Sequence, residues 1–210
     1  MGTRKEGKIR CVIYDCDGVL FDSLEANRRF FSYFCQALGR GPLTEEELRY
    51  GHTHTTREGI RHLFPNDPEM ERRAQELVSR VDPEESAALL KPEPHLIPAL
   101  RSLKKRGIHL AICTGRTTSM EIVLKKFSLE AFFDLVVTSG DVQHPKPHPE
   151  SVEKVLRAFD LKTEEVLFVG DSETDRQAAL AAGVKFIAYK NHEMAAHAHI
   201  QDHLHILELL

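Results

Sequence analysis

Two pairs of carboxylates are the residues of this sequence best suited to chemistry, because each pair follows a short apolar run. Asp15 and Asp17 form the first pair, and Asp171 and Asp175 form the second. Carboxylates at the end of a buried strand are costly to desolvate unless a cation pairs with them, and carboxylate oxygens are ligands that Mg2+ prefers. Taken singly, the first pair equally fits an Asp-Gly turn, and the second fits acids at a helix start.

A positive charge has to balance four acids that share one crevice, and Lys146 is the best candidate for it. Lys146 lies between Pro145 and Pro147. The two prolines restrict the backbone on both sides of the lysine. A lone surface lysine is usually just solvated, whereas a lysine held in this way after a strand is better placed to pair with the acids.

Thr114, Gly115 and Arg116 follow another apolar run and could hold phosphate oxygens through a hydroxyl and exposed amides. The alternative for these three residues is an ordinary strand-to-helix turn with an N-cap.

The elements that must position these residues alternate between strands and helices after residue 92. Predicted strands cover residues 9–14, 108–113, 135–138, 166–169 and 184–189, and predicted helices lie between the later ones. This alternation predicts an α/β fold with a doubly wound, parallel, five-stranded, Rossmann-like sheet. Ligands of such sheets bind beyond the carboxyl ends of the strands, so the acids and Thr114 should meet in one crevice.

The segment between the first two strands differs in composition, because residues 22–91 contain helical patterns and no strand candidate. Thr44 and Glu47, for example, have the spacing of a capping box at a helix start. We therefore expect residues 1–21 and 92–210 to form an α/β core domain and residues 22–91 to form an inserted, all-helical cap domain.

Composition excludes several classes of protein. A formal net charge of −4 argues against a nucleic-acid binder, and no apolar stretch is long enough for a membrane span. The four cysteines lack CxxC spacing and fit reduced thiols. Residues 1–8 do not resemble a signal peptide, so we expect a cytoplasmic protein. We expect it to be a monomer or a homodimer. The C-terminal histidines at 192, 197, 199, 203 and 205 are expected to be solvated.

Taken together, these segments resemble the four motifs of the haloacid dehalogenase (HAD) superfamily. The motifs are Asp15-Cys16-Asp17-Gly18, then Thr114, then Lys146, and then the segment from Gly170 to Asp175, in that order along nearly the whole chain. The helical segment is similar to the small cap of that family. The dehalogenases of the family lack the second acid, Asp17, and need no metal, so its presence favours phosphate substrates over halides.

The resemblance implies a role for each residue. Asp15 would be the nucleophile that forms an aspartyl-phosphate, and Asp17 would be the general acid and base. Asp15, the main-chain carbonyl of Asp17 and the side chain of Asp171 would hold Mg2+, and Asp175 would support this metal or ligate it. As further catalytic residues, Thr114 and Lys146 would hold the transferring phosphoryl group.

The start of the chain is most similar to phosphoglycolate phosphatases and β-phosphoglucomutases. That similarity implies a phosphatase for a small phosphorylated metabolite, such as phosphoglycolate or a sugar phosphate. A mutase using the same aspartyl-phosphate is the alternative, and a non-catalytic phosphate-binding module is a third possibility that Asp17 argues against. Gly115, Arg116 and the cap residue Arg57 are the candidate substrate-binding residues, because guanidinium groups suit bidentate contacts with anions.

Overall fold

The computed structural model describes residues 8–117 and 119–210. Strands run over Cys11–Tyr14 (β1), Phe21–Asp22 (β2), Lys91–Pro92 (β3), His109–Thr114 (β4), Leu135–Thr138 (β5), Val166–Gly170 (β6), Lys185–Tyr189 (β7) and Ala198–Ile200 (β8). The α-helices are Leu24–Ala37 (α1), Glu45–Thr53 (α2), Thr56–Leu63 (α3), Pro68–Val78 (α4), Pro83–Ala88 (α5), Leu96–Lys105 (α6), Ser119–Lys126 (α7), Glu150–Phe159 (α8) and Glu173–Ala181 (α9). Short 3-10 helices cover Ser139–Asp141, Thr163–Glu165 and His203–Glu208.

The large sheet is parallel throughout and has the strand order β5-β4-β1-β6-β7-β8. The chain leaves β1, continues on one side of it with β4 and β5, and then returns to its other side with β6. Strand β1 is therefore the point at which the strand order reverses, which is where ligands bind in sheets of this type. The predicted doubly wound α/β fold is confirmed.

Strand β1 is an apolar run because helices cover both faces of the sheet. Val12 and Tyr14 pack in one cluster with residues of α6 and α7, and Cys11 and Ile13 pack in another with residues of α8 and α9. All four side chains are fully buried. Strands that are covered on both faces lose the alternation of polar and apolar residues, so the sequence shows a short apolar run here.

The sheet has a sixth strand that the sequence did not indicate. Strand β8 pairs in parallel with β7 at the edge of the sheet. Its middle residue, His199, is exposed, and Ile200 is its buried residue. A three-residue edge strand with one buried side chain leaves no periodic signal, which is why five strands were predicted.

His203 also departs from the prediction, because it is fully buried instead of solvated. Its ring stacks on Tyr189 with 4.6 Å between ring centroids, and its Nε2 lies 2.9 Å from the carbonyl oxygen of Val19. Burial lowers the pKa of His203 to about 4, so its ring is neutral. The 3-10 helix that starts at His203 packs Ile206 into the core, and this packing brings the histidine inside.

Helices α1, α3 and α4, with the residues that follow α1 and α3, carry an apolar cluster of their own, built from Phe31, Phe34, Cys35, Leu38, Ile60, Leu63, Phe64 and Ala74. The ring of Phe31 packs directly against two glycines, since a Cβ atom on Gly51 or on Gly59 would lie within 2.7 Å of it. Where the chain enters and leaves these helices, β2 and β3 pair as an antiparallel ribbon. The capping box of Thr44 and Glu47 is confirmed at the start of α2.

The four cysteines, Cys11, Cys16, Cys35 and Cys113, are buried and unpaired. Within the described residues, no helix has the length and apolar character needed to cross a membrane. The expectation about a signal peptide concerns residues 1–8, of which residues 1–7 lie outside the described part of the chain.

Candidate active site

Three of the predicted carboxylates meet at the carboxyl ends of β1 and β6. Asp15 directly follows β1, Asp171 directly follows β6, and Asp175 lies in the first turn of α9. One oxygen from each carboxylate lies within 4.8 Å of an oxygen of each of the others. The side chain of Asp17 is not part of this cluster.

Glycines make this close approach of carboxylates possible. A Cβ atom on Gly18 would lie 2.1 Å from Oδ2 of Asp171, and Gly18 has a φ of +75°, which L side chains rarely adopt. A Cβ atom on Gly170 would lie 2.5 Å from the Cβ of Asp175. The space that a side chain would take at these two positions is therefore filled by the acids of the cluster.

Lys146 provides the positive charge that the cluster needs. Its Nζ donates to Oδ1 of Asp175 at 2.6 Å and to the carbonyl oxygen of Cys113 at 3.0 Å. The same Nζ lies 2.9 Å from Oδ1 of Asp15. Burial disfavours the charge on Lys146, but Asp15 and Asp175 outweigh burial and raise its pKa, so the ammonium stays charged.

Ser172 fixes Asp175 and was not among the predicted site residues. Its hydroxyl and its amide both donate to Oδ2 of Asp175, at 2.6 Å and 3.2 Å, and the Asp175 amide donates back to the hydroxyl at 3.3 Å. This reciprocal arrangement is a capping box at the start of α9. The spacing of Ser172 and Asp175 in the sequence is the signal that could have identified it.

Electrostatics favour the binding of a cation at the cluster. Burial, together with repulsion from Asp175, raises the pKa of Asp15 to about 7, although Lys146 opposes the rise. Burial and the charges of Asp175 and Asp15 raise the pKa of Asp171 as well. A divalent cation would relieve this repulsion, and an oxygen-only ligand set fits Mg2+.

The side chain of Asp17 is paired with Arg116. The guanidinium donates from Nε to Oδ2 at 2.8 Å and from Nη2 to Oδ1 at 2.7 Å. Burial alone would raise the pKa of Asp17, but Arg116 outweighs burial and holds it below the ordinary value. Arg116 was predicted to bind substrate, and in this structure its charge is directed to Asp17.

Thr114 and Gly115 lie at the carboxyl end of β4, beside the acid cluster. The Thr114 side chain is buried, and its Oγ1 accepts a hydrogen bond from the amide of Arg116 at 3.1 Å. Gly115 lines the cleft described below and faces the carbonyl oxygen of His54, which lies 3.9 Å from the position of a Cβ atom. Both residues thus lie at the carboxyl end of the strand that pairs with β1.

A cleft of about 380 Å3 lies between the sheet and the helical segment. Asp15, Asp17, Gly115, Arg116 and Lys146 line its core side. The cap side is lined by Asn27, Phe30, Phe31, His52, Thr53, His54, Thr55, Thr56, Val78, Ser79, Val81, Pro83 and Ser86. The cleft therefore combines charged groups at one wall with histidine, hydroxyl, amide and apolar groups at the other.

Two contacts organise the cap side of the cleft. The amide Nδ2 of Asn27 lies 2.7 Å from Nδ1 of His52. Across the cleft, the hydroxyl of Thr174 donates to the carbonyl oxygen of Thr53 at 3.0 Å, which joins the core to the cap helices. Asn27 was not predicted as a site residue, although it lies on the same face of α1 as the apolar residues of that helix that line the cleft.

Arg57 does not line this cleft, so the structure does not bring it to the predicted position. Its side chain is exposed in the first turn of α3. The buried residues of that helix are Gly59, Ile60 and Leu63. The packing of those residues rotates Arg57 to the outer surface, and this orientation could not be read from one sequence.

Comparison with known proteins gives consistent relatives. The family model for haloacid dehalogenase-like hydrolases matches residues 12–189. The chain is 30% identical over 190 residues to pyrophosphatase PpaX of Bacillus thuringiensis (strain Al Hakam), covering 86% of this chain and 83% of the relative. A 90-residue match to PpaX of Bacillus mycoides (strain KBAB4) is 43% identical and covers 42% of each chain.

Solved structures agree with these relatives. A HAD-superfamily hydrolase of subfamily IA, variant 1, from Geobacter sulfurreducens PCA superposes with a TM-score of 0.78 at 42% identity, covering 99% of this chain and 100% of the other. CbbY from Rhodobacter sphaeroides, solved in complex with phosphate, superposes with a TM-score of 0.78 at 23% identity. The superposition covers 94% of this chain and 96% of CbbY, and the two proteins share the same fold.

Proposed function

This chain belongs to the haloacid dehalogenase-like hydrolase family, and we propose that it is a Mg2+-dependent phosphatase for a small phosphorylated metabolite. The observation that carries the proposal is the cluster of Asp15, Asp171 and Asp175, joined by Lys146 and placed at the reversal point of the sheet. Asp17 lies two residues beyond Asp15, on the same cleft. An acid cluster, a cation and a second carboxylate are the groups that phosphoryl transfer through an aspartyl-phosphate requires.

In the proposed reaction, a carboxylate oxygen of Asp15 attacks phosphorus, and the bond from phosphorus to the leaving oxygen breaks. Lys146 and the amide of Cys16 both hold Oδ1 of Asp15, at 2.9 Å and 2.7 Å, and so fix the orientation of the carboxylate. Water then attacks the aspartyl-phosphate, which regenerates Asp15 and releases inorganic phosphate. Fixed orientation is the main contribution that a protein makes to this chemistry.

Asp17 is ionised while it is paired with Arg116. It takes up a proton from solvent once that pair opens, gives this proton to the leaving oxygen in the first step, and takes a proton from water in the second. Arg116 holds both of its oxygens, so Asp17 must exchange this partner for the substrate before it can act. The released guanidinium can then bind an anionic group of the substrate, as predicted from the sequence. The pair thus couples the availability of the acid to the arrival of an anion.

Asp15, Asp171 and Asp175 would hold the metal together with the main-chain carbonyl of Asp17. When bound, Mg2+ offsets the negative charge of the acids and of the phosphoryl oxygens. Thr114 and Lys146 hold the phosphoryl group while the cap helices exclude water from it. We propose residues 22–91 as this cap domain and residues 1–21 and 92–210 as the core domain, in a cytoplasmic protein whose buried thiols stay reduced.

Pyrophosphate is a second candidate substrate, because the PpaX relatives carry the name pyrophosphatase. Its leaving group is a phosphate, which needs positive charge on the far side of the cleft. In the described part of the cap wall, His52 and His54 are the basic side chains that line the cleft. An organic ester with neutral hydroxyl groups suits this wall better, so we place small phosphomonoesters first.

The test is phosphate release from a panel that contains phosphoglycolate, sugar phosphates and pyrophosphate, with Mg2+ or with EDTA. Asp15→Asn removes the nucleophile with little change in shape. Asp160→Asn is the matched control, because Asp160 is exposed at the end of α8, with a φ of +50° that Asn also adopts. We expect Mg2+-dependent release that Asp15→Asn abolishes and Asp160→Asn leaves unchanged.

The preferred substrate in that panel distinguishes an ester phosphatase from a pyrophosphatase. Conversion of one sugar phosphate into its isomer without phosphate release would instead show a mutase. Binding of phosphate without turnover of any substrate, in folded protein with Mg2+, would contradict the proposed function.

A further inference from the structure

A second cluster of side chains that could hold a metal ion, separate from the acid cluster, lies on the surface. His144, His148 and Glu150 each offer one ligand atom, and these atoms lie within 4.8 Å of one another. The two histidines are exposed, and Glu150 is half-buried at the first position of α8. The proposed phosphatase chemistry uses none of these three side chains.

The carboxylate of this cluster is fixed by the protein backbone. Oε1 of Glu150 accepts from the amide of Gln143 at 3.0 Å, and Oε2 accepts from the amide of His144 at 2.9 Å. These backbone donors lower the pKa of Glu150, which keeps its carboxylate ionised. A carboxylate with a fixed position and a full charge is prepared for a cation, because little order is lost on binding.

The two imidazoles lie beside Glu150, that of His144 against its carboxylate and that of His148 against its backbone amide. Nδ1 of His144 lies 3.2 Å from Oε2 of Glu150. Nδ1 of His148 accepts from the amide of Glu150 at 3.3 Å, so it carries a lone pair in the neutral ring. The ring centroids of His144 and His148 lie 4.7 Å apart. Two ligands on a tetrahedral ion with bonds of about 2 Å lie about 3.3 Å apart, close to the observed spacing of His144 and Glu150.

We propose that His144, His148 and Glu150 form a binding site for a divalent transition-metal ion of the Zn2+ type, distinct from the Mg2+ site. Two imidazoles and a carboxylate suit Zn2+, Cu2+ or Ni2+, whereas Mg2+ prefers a set of oxygen ligands. Three protein ligands leave a position for water, as in open zinc sites. The bound ion bridges the two ends of the segment that contains Lys146.

Calorimetric titration of the untagged full-length protein with Zn2+ tests this site. The measurements use Asp171→Asn as the background, because that change weakens competing binding at the acid cluster. His148→Gln and His144→Gln, each added to this background, remove one ligand. His199→Gln is the control, since His199 is an exposed histidine whose ring centroid lies 6.0 Å from that of His192 in the C-terminal segment.

We expect Zn2+ to bind the Asp171→Asn protein with one strong site, and each ligand variant to weaken that site by about 10-fold or more. The control should bind as its background does. Electron paramagnetic resonance with one equivalent of Cu2+ should show coordination by two nitrogens, and His148→Gln should reduce it to one. Zn2+ binding that is insensitive to both ligand variants, or that His199→Gln removes, would overturn the proposal. Neither readout depends on turnover, so failure here leaves the phosphatase proposal intact.

Discussion

Arg116 holds both carboxylate oxygens of Asp17 at 2.7 Å and 2.8 Å, within a site where both side chains are mostly buried. The pair comes from two loops that are 99 residues apart in the sequence. Bidentate pairs of this kind are strong and fix geometry. The pair therefore sets the resting state of the proposed acid and base, which is ionised and bonded to Arg116.

Replacing Arg116 with methionine should destabilise the protein by about 3–5 kcal/mol at pH 7, because it leaves a buried carboxylate without a partner. Arg116 lowers the pKa of Asp17, so its stabilisation is present above the ordinary pKa and is lost as pH falls through the folded-state pKa. The loss of unfolding free energy caused by Arg116→Met should therefore shrink as the pH falls toward 3. Urea unfolding at several pH values measures it.

Asp17→Asn in the Arg116→Met background should recover much of that loss, since no unpaired carboxylate remains. Arg72→Met is the control, because Arg72 pairs with Glu69 on the surface with both side chains more than half exposed. A surface pair of this kind contributes little. Equal unfolding curves for Arg116→Met and Arg72→Met would show that the Asp17 pair has no special strength.

Gly18→Ala should impair the metal site specifically. The new Cβ atom would meet Oδ2 of Asp171 at 2.1 Å, so the carboxylate would have to move. Gly39→Ala is a matched control, because Gly39 has a φ of +69° and no atom within 4 Å of a new Cβ. Both changes carry the backbone cost of about 1–2 kcal/mol, but Gly18→Ala alone should weaken Mg2+ binding in calorimetry. Unchanged Mg2+ affinity in Gly18→Ala would contradict the placement of Asp171 in the metal site.

The affinity for Mg2+ should rise with pH between about 4 and 7. Burial and Asp175 raise the pKa of Asp15 from 3.8 to about 7, so the metal displaces a proton over this range. One displaced proton changes the affinity by about 10-fold per pH unit at most. Titrations at pH 5, 6 and 7 in buffers of different ionisation enthalpy measure both the affinity and the proton release. An affinity that is constant over this range would contradict the prediction.

The same pKa shift predicts how the metal-free protein responds to pH. A carboxyl group whose folded pKa is raised stabilises the fold below its ordinary pKa of 3.8, and that contribution is lost as pH rises toward 7. In EDTA, the melting temperature of the parent should therefore fall relative to that of Asp15→Asn from pH 5 to pH 7. Excess Mg2+ should remove most of this difference for the parent, because binding stabilises the folded state.

Ser172→Ala should reduce stability and activity together. The change removes the hydroxyl that caps α9 and orients Asp175, at a cost of about 0.5–2 kcal/mol. Thr44→Ala is the control, because it removes the equivalent cap of α2. Thr44 is exposed and does not line the cleft. We expect the two variants to lose similar amounts of unfolding free energy in urea. Only Ser172→Ala should lower kcat. A fall in kcat of equal size in both variants would contradict the positioning role of Ser172.

The fold could be predicted to a large extent because its signals are local. Buried strands such as β1 and β6 are short apolar runs, and the acids that follow them mark the strand ends. Strand β8 gave no such signal because it has three residues and one buried side chain. His203 could not be recognised as buried from its own segment, because the rings that pack against it are Tyr14 on β1 and Tyr189 on β7.

The positions of the site residues were predictable in part. Topology alone brings Asp15, Asp171 and Thr114 to one edge of the sheet, because parallel strands end on the same side. The pairing of Asp17 with Arg116 depends on the side-chain directions of two loops, which no spacing encodes. The outward position of Arg57 likewise depends on which face of α3 packs inward.

The central claim, that Asp15 forms a covalent aspartyl-phosphate, is tested most directly by trapping that intermediate. Protein turning over its preferred substrate with Mg2+ is quenched in acid, reduced with borohydride, digested and analysed by peptide mass spectrometry. We predict conversion of Asp15 to homoserine, dependent on both substrate and Mg2+, with Asp17 unmodified. Active turnover with Asp15 unmodified, or with the label on another residue, would contradict the claim.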